Sequence, residues 1–335
     1  MEATISNQPV VAVLHAPGDP PPDLDALVPG AEHRLATDKQ GLAKAIADAD
    51  VALVTDFRSG ALEAAWPEAR RLQWVHATSA GVDALLFPAL VESDVPLTNA
   101  RGIFDAAIAE HVLAMMLAFA KDVPASVRLQ GERRWRHRDT ERLAGRRLLV
   151  VGAGSIGRAI ARLAGAAGLR VSGVARSARS GDPDFERVHG QDGLIEALGE
   201  ADFVAVAAPL TDETHHLFDA EAFAAMRDEA RLINVGRGPV VDTDALAAAL
   251  RDGRIAGAAL DVFEEEPLPG DHPLWDFPQV MVTAHMAGDF VGWRRTLVEQ
   301  FAGNFRRWQS GEPLLNRVDK RRGYGRAATE EGDER

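Results

Sequence analysis

The stretch VVGAGSIGRAIARL, residues 150–163, constrains this chain more than any other. It leads from a β-branched apolar run, LLVV, through Gly152-x-Gly154-x-x-Gly157 into a run with helical spacing. Gly152 permits a tight turn out of a strand. Gly154 removes a side chain where backbone must approach a pyrophosphate, and Gly157 lets the following helix pack closely on the strand. The helix N-terminus, at Ser155, Ile156 and Gly157, offers amide groups and the positive end of its dipole to an anion. A glycine-rich turn alone is weak evidence. With a strand before it and a helix after it, the pattern is that of a dinucleotide-binding βαβ unit.

The next strand spans 169–175 and ends in Arg176-Ser177-Ala178-Arg179. A site built for NAD carries an acid at that strand's end, to accept from the ribose 2′-hydroxyl. Arginine suits a 2′-phosphate instead, because its planar fork pairs with phosphate oxygens, whereas a carboxylate would repel it. The expectation is NADP(H) in preference, with NAD(H) still accommodated. Arg176 stands where that acid would be, with Ser177 and Arg179 able to add a hydroxyl and a second cation, Arg179 lying further along a loop that reads as flexible.

Composition sets limits on the remaining readings. The chain has 335 residues, 46 % of them hydrophobic, enough for two domains with substantial cores. A formal net charge of −13 argues against nucleic-acid or anionic-membrane partners. There are no cysteines, which excludes disulfides, thiolate catalysis and cysteine metal sites. The longest apolar stretch, 108–120, contains Glu110 and His111 and is too short to span a bilayer. No secretory leader is recognisable, so a cytoplasmic location is the expectation.

Strand-like and helix-like segments alternate, which defines an α/β class. Strands are expected at 10–14, 51–55, 72–77 and 95–99, with helices at 41–48 and from 62. A helix follows at 106–120, with Asp105 as its N-cap. From 146 the dinucleotide unit begins. Its later strands are expected at 203–207, 231–235, 258–260 and 280–283, with helices at 191–198, 220–226 and 243–252. A long helix closes the pattern at 293–309. The residues after it are charged and lack apolar periodicity, which predicts disorder.

Three loops after strands of the dinucleotide unit carry chemistry. They are Asn234-Val-Gly-Arg237-Gly238, then Asp261 to Glu266-Pro267, then Thr283-Ala-His285-Met-Ala-Gly288. Arg, Glu and His would thus stand at one carboxyl edge of one sheet. Hydride transfer to a 2-keto acid needs these groups. A cation grips the carboxylate and polarises the ketone, an acid protonates the carbonyl oxygen, and a carboxylate beside the imidazole orients it. His111 and the pair His215-His216 read as packing or surface residues, and no spacing matches a metal site.

These segments together resemble the D-isomer-specific 2-hydroxyacid dehydrogenase family. The resemblance runs from about Leu72 to Asn316. It rests on SAGVD (79–83), NARGIFDAAIAEHVLAMMLA (99–118), LVVGAGSIG (149–157), APLTDETHHL (208–217), INVGRG (233–238), ALDVFEEEPLP (259–269) and VTAHMAG (282–288). It implies two Rossmann-like domains, each a doubly wound parallel sheet, with a cleft between them. The dinucleotide domain, 100–288, would be inserted in a substrate domain made of 1–99 and 289–318, leaving a disordered tail at 319–335. It also implies that Arg237, Glu266 and His285 are catalytic and that Ala80 and Gly81 hold the substrate carboxylate. Pro209, Thr214, Val235, Gly236, Asp261, His285 and Gly288 would line the cofactor. Phe57, placed just after the strand at 51–55, would limit the substrate's side chain. Ala284 departs from the proline usual before the catalytic His. Arg176-Ser-Ala-Arg179 is similar to the glyoxylate/hydroxypyruvate reductase branch. The expected activity is reduction of a small 2-keto acid by NAD(P)H. A corepressor-like nucleotide sensor and a dehydrogenase of a phosphorylated hydroxy acid stay open. The apolar and aromatic run from 106 through Trp135 points to a homodimer.

Overall fold

The computed structural model of the chain describes residues 8–56 and 60–325. Within them the chain forms two compact units. One runs to Ile103 and resumes at Phe290, and the other is Phe104–Asp289.

The first unit is built on β1 (Val10–Leu14), β2 (Glu32–Ala36), β3 (Val51–Val54), β4 (Trp74–Ala77) and β5 (Leu97–Thr98). They pair in parallel in the order β2-β1-β3-β4-β5. Every residue of β1 is buried. Val10, Ala12 and Leu14 face a core with Leu42, Ile46 and Leu62. Val11 and Val13 face another with Trp74, Phe301 and Phe305. Burial on both faces is why VVAVL is apolar throughout and not alternating. The closing helix, Trp293–Gln309, covers the second face, where Phe301 stacks on Trp74 at 5.2 Å between ring centroids.

The expectation of disorder from 319 onward is corrected for its first residues. Val318–Asp319 and Tyr324–Gly325 form a short antiparallel pair. The Lys320 ammonium donates to the carbonyls of Leu90 and Val95 at 2.8 and 2.9 Å. A charged side chain with fixed backbone acceptors orders a segment that has no apolar pattern to announce it. Residues 326–335 lie outside the described residues.

The second unit carries β6 (Arg147–Val151), β7 (Arg170–Val174), β8 (Arg187–His189), β9 (Phe203–Val206), β10 (Arg231–Asn234), β11 (Gly257–Leu260) and β12 (Val280–Val282). The parallel order is β12-β11-β10-β9-β6-β7-β8. The chain moves outward from β6 in one direction and resumes at β9 in the other. The switch point, where ligands of such sheets sit, therefore lies at the carboxyl ends of β6 and β9. The helix Asp105–Ala120 packs against Ser155–Ala166 through Val112, Met116, Ile160 and Ala164. Its N-cap is Phe104, not the expected Asp105, which is the first helical residue. There the carboxylate faces the positive helix end and accepts from the Ser155 hydroxyl at 3.4 Å.

Candidate active site

The glycine turn sits at the switch point. Gly152 has φ +106°, and a Cβ on it would lie 2.6 Å from the backbone of Ala207 and Ala208, just beyond β9. A Cβ on Gly157 would lie 2.0 Å from the Gly152 carbonyl oxygen. Both positions therefore require glycine for packing within the protein. Gly154 differs, since a Cβ there would meet nothing within 4 Å. That open side adjoins the first-turn amides of Ser155, Ile156 and Gly157, so the turn is a cradle of the kind a pyrophosphate needs.

Beyond β7 the basic segment is exposed. Arg176 lies close enough to Glu213 for its charge to help lower that carboxyl, after the larger effect of the Thr211 hydroxyl. Ser177 is exposed beside it. The reading of Arg179 as part of a flexible loop is corrected. Its amide donates to the Val188 carbonyl of β8 at 3.1 Å, and its Nε donates to Asp182 at 2.9 Å. Backbone pairing to an edge strand is a non-local contact, invisible in the spacing of residues. Across the switch point, Thr214 closes its own loop by donating to the Pro209 carbonyl at 2.6 Å.

The three chemical loops follow the neighbouring strands β10, β11 and β12. Asn234, buried at the end of β10, shapes the first. Its Oδ1 accepts from the Gly236 amide and its Nδ2 donates to the Arg237 carbonyl, both at 3.1 Å. Val235 is buried beside it, and a Cβ on Gly236 would lie 2.8 Å from the Ala208 carbonyl oxygen. A Cβ on Gly238 would lie 1.8 Å from the backbone of Phe263. The loops bearing Arg237 and Glu266 thus cross in backbone contact.

The His285 Nδ1 lies 2.8 and 3.1 Å from the two carboxylate oxygens of Glu266. An ionised carboxylate only accepts, so this pairing places the hydrogen on Nδ1 and leaves Nε2 for proton transfer. Glu266 is fixed in turn by the Phe263 amide at 3.1 Å. His285 itself adopts φ +51°. This sparsely populated conformation is maintained by Asp261, which is only 3 % exposed. The Asp261 carboxylate accepts from the Thr283 hydroxyl at 2.6 Å and from the amides of Met286 and Ala287 at 2.9 Å. Its own carbonyl accepts from the His285 amide at 2.8 Å. The structure thus surrounds Asp261 with the histidine loop. Gly288, at the end of that loop, packs on Phe104, whose ring a Cβ would approach to 2.9 Å.

The reading of His216 as a bland residue misses a brace. Its Nε2 lies 2.8 Å from Glu264, which also accepts from the Thr243 amide at 3.0 Å. This ties the loop after β9 to the loop that carries Glu266. No local pattern signals it, because the partners are 48 residues apart. In the first unit, the Ala80 carbonyl accepts from Asn99 and the Gly81 carbonyl from the Ser79 hydroxyl, each at 2.6 Å. Phe57 lies outside the described residues. Among those described, no cluster of His, Asp or Glu could hold a metal ion, and no helix is long and apolar enough to cross a membrane.

A glycine cradle at the switch point of a parallel sheet, with a cation and a Glu-held His beyond it, defines the class as a nicotinamide-dependent oxidoreductase. Comparison with known proteins makes this specific. The family described as "D-isomer specific 2-hydroxyacid dehydrogenase, NAD binding domain" matches residues 113–287. A glyoxylate reductase of Korarchaeum cryptofilum is 34 % identical over 281 residues, covering 82 % of this chain and 83 % of its own. A Xanthobacter autotrophicus D-isomer-specific 2-hydroxyacid dehydrogenase, solved with NADPH and MES, superposes with a TM-score of 0.81 at 36 % identity, covering 94 % of this chain and 100 % of its own. An NADPH-dependent glyoxylate/hydroxypyruvate reductase of Sinorhizobium meliloti, solved with NADP and sulfate, gives 0.82 at 30 %, covering 95 % and 100 %. The chain belongs to the D-isomer-specific 2-hydroxyacid dehydrogenase family and is an NAD(P)-dependent oxidoreductase of 2-hydroxy acids.

Proposed function

We propose that the chain reduces a small 2-keto acid, glyoxylate or hydroxypyruvate, with NADPH in preference to NADH. The observation that carries this reading is the His285–Glu266 pair at 2.8 Å beside the loop of Arg237. The bound dinucleotide supplies the hydride. Arg237 holds the substrate carboxylate and polarises the ketone, since its fork matches a planar carboxylate. As C2 gains the hydride, His285 gives its Nε2 proton to the carbonyl oxygen, and Glu266 stabilises and orients the imidazolium before transfer. The NADPH preference is supported by Arg176 and Arg179 where a carboxylate would serve NAD, and by the NADPH and NADP complexes of the two relatives. A small substrate is supported by the sequence just beyond the strands at 51–55 and 72–77, where 56–60 and 78–83 hold Arg58 and no other Lys or Arg to receive a second anion.

A homodimer belongs to the same proposal. The helix Val123–Gly131 buries none of its residues within this copy. Val127 is 61 % exposed and Trp135, on the arm after it, fully so. Exposed apolar side chains grouped on one helix and the arm after it mark a surface that a second copy would cover.

Steady-state kinetics on glyoxylate, hydroxypyruvate and phosphohydroxypyruvate, with each nucleotide, test the assignment. The expected order of kcat/KM puts either unphosphorylated acid with NADPH first. A clear preference for the phosphorylated acid, or no turnover of any 2-keto acid, contradicts it.

A further inference from the structure

Behind the exposed basic segment lies an acid that the activity does not explain. Asp182 has a side chain only 3 % exposed, yet it stands three residues beyond Arg179. It receives the Arg158 guanidinium as a fork, at 2.9 Å on Oδ1 and 2.7 Å on Oδ2. On Oδ2 it also receives the Arg179 Nε at 2.9 Å. The Asp184 amide donates to it at 3.0 Å. Arg158 continues to Asp184 at 2.8 Å, and Arg162 reaches the same carboxylate at 3.2 Å. Arg158 stands one residue after Gly157, on the helix that the glycine turn begins, so the cluster is anchored to the cofactor cradle itself.

The far end of Arg179 shows what the cluster holds in place. Its Nη2 lies 3.3 Å from the carbonyl of Ala153, between the first two glycines of the turn. A long side chain, 40 % exposed, is therefore fixed at two points, one acidic and one in the turn. An arginine on a surface loop otherwise loses much of its phosphate affinity to the entropy of ordering its rotamers. Three guanidinium groups face two carboxylates here. The cluster remains net positive, with its acids inside and a cation outside.

We propose that Asp182 is the positioning residue of the adenosine 2′-phosphate site: it sets the Arg179 guanidinium against the glycine turn, so that selection of NADPH depends on a buried acid. This rests on the NADPH reading above. Its opposite, a plain Coulomb effect, predicts a different sign. Removing a negative charge near an anion site should strengthen NADPH binding, whereas removing the anchor of a phosphate ligand should weaken it.

The test uses Asp182→Asn in the full-length enzyme, with kcat/KM measured for NADPH and NADH, NADPH binding measured by fluorescence, and thermal melts run in parallel. The expected result is a fall of about tenfold in the NADPH-to-NADH ratio, the worth of one charge-assisted hydrogen bond. A merely structural role would lower both cofactors alike, with the melting temperature, and would overturn the proposal. So would an unchanged or tighter NADPH affinity. Asp182→Asn combined with Arg179→Ala should be no worse for NADPH than Arg179→Ala alone, because the acid acts through the arginine, while additive losses contradict that. If Asp182→Asn does not fold, Arg179→Lys decides. It keeps the charge and loses the Nε contact, so it should lose selectivity nearly as fully as Arg179→Ala, and retained selectivity rejects the role. Absence of any NADPH preference in the unaltered enzyme defeats the cofactor reading itself, separately from Asp182.

Discussion

Three loop side chains carry the proposed chemistry, and each depends on residues that do none. His285 stands at φ +51° because Asp261 takes two amides and a hydroxyl of its loop. Arg237 is presented by a turn that Asn234 closes from both sides. The Arg237 fork is the most specific claim at this scale. Arg237→Lys keeps the charge but not the paired donors, so KM for the keto acid should rise and kcat fall together by about tenfold or more, a loss on the order of 1.5–3 kcal/mol. Unaltered kinetics with a lower melting temperature would make Arg237 a structural residue instead. Arg237, Glu266 and His285 stand out as candidates in the sequence because each lies in a loop just beyond an apolar strand, three, six and three residues past the ends of β10, β11 and β12. Asp261, Asn234 and His216 were legible only as residues. Their work is hydrogen bonding across loops, and which loops touch is decided by sheet order, not by local spacing.

At the scale of elements, what the sequence conceals is set by burial. Both faces of the central strands are covered, so they read as apolar runs. Among the strands missed, β2 and β8 are edges of the two parallel sheets. β2 reads EHRLA and buries only Ala36, so periodicity had little to detect. The core of the first unit has a cost that pH should expose. His76 on β4 is fully buried against Trp74 and Phe301, with Nδ1 2.7 Å from the Thr98 hydroxyl. Burial pushes its imidazole down from 6.5 to about 3. The unfolded chain therefore takes up a proton near pH 6.5 that the native chain refuses. Stability from this residue is complete above the unfolded value and is lost as pH falls from there toward about 3, by roughly 3 kcal/mol at about pH 4. Melting curves at neutral pH and near pH 4.5 should show a clearly smaller acid-induced drop for His76→Gln than for the unaltered chain. Equal drops would show that the imidazole is charged or accessible in the native state.

For the molecule as a whole, assembly is the least legible property, since one chain's sequence does not say what covers a surface. The exposure of Val123, Val127 and Trp135 gives the expectation its physical basis. Light scattering at micromolar concentration should return twice the 36.0 kDa chain mass, and Val127→Asp should shift it toward the monomer. A monomeric mass for the unaltered protein rejects the dimer. The proposed activity sets one requirement: the sheet edge that holds the dinucleotide must also carry the proton donor. His285→Ala tests that requirement most directly, with kcat for glyoxylate and NADPH affinity measured on the same preparation. Loss of a general acid should lower kcat by about two to four orders of magnitude while NADPH binds with nearly unaltered affinity. A kcat within a few-fold of the unaltered enzyme would contradict the account at its centre.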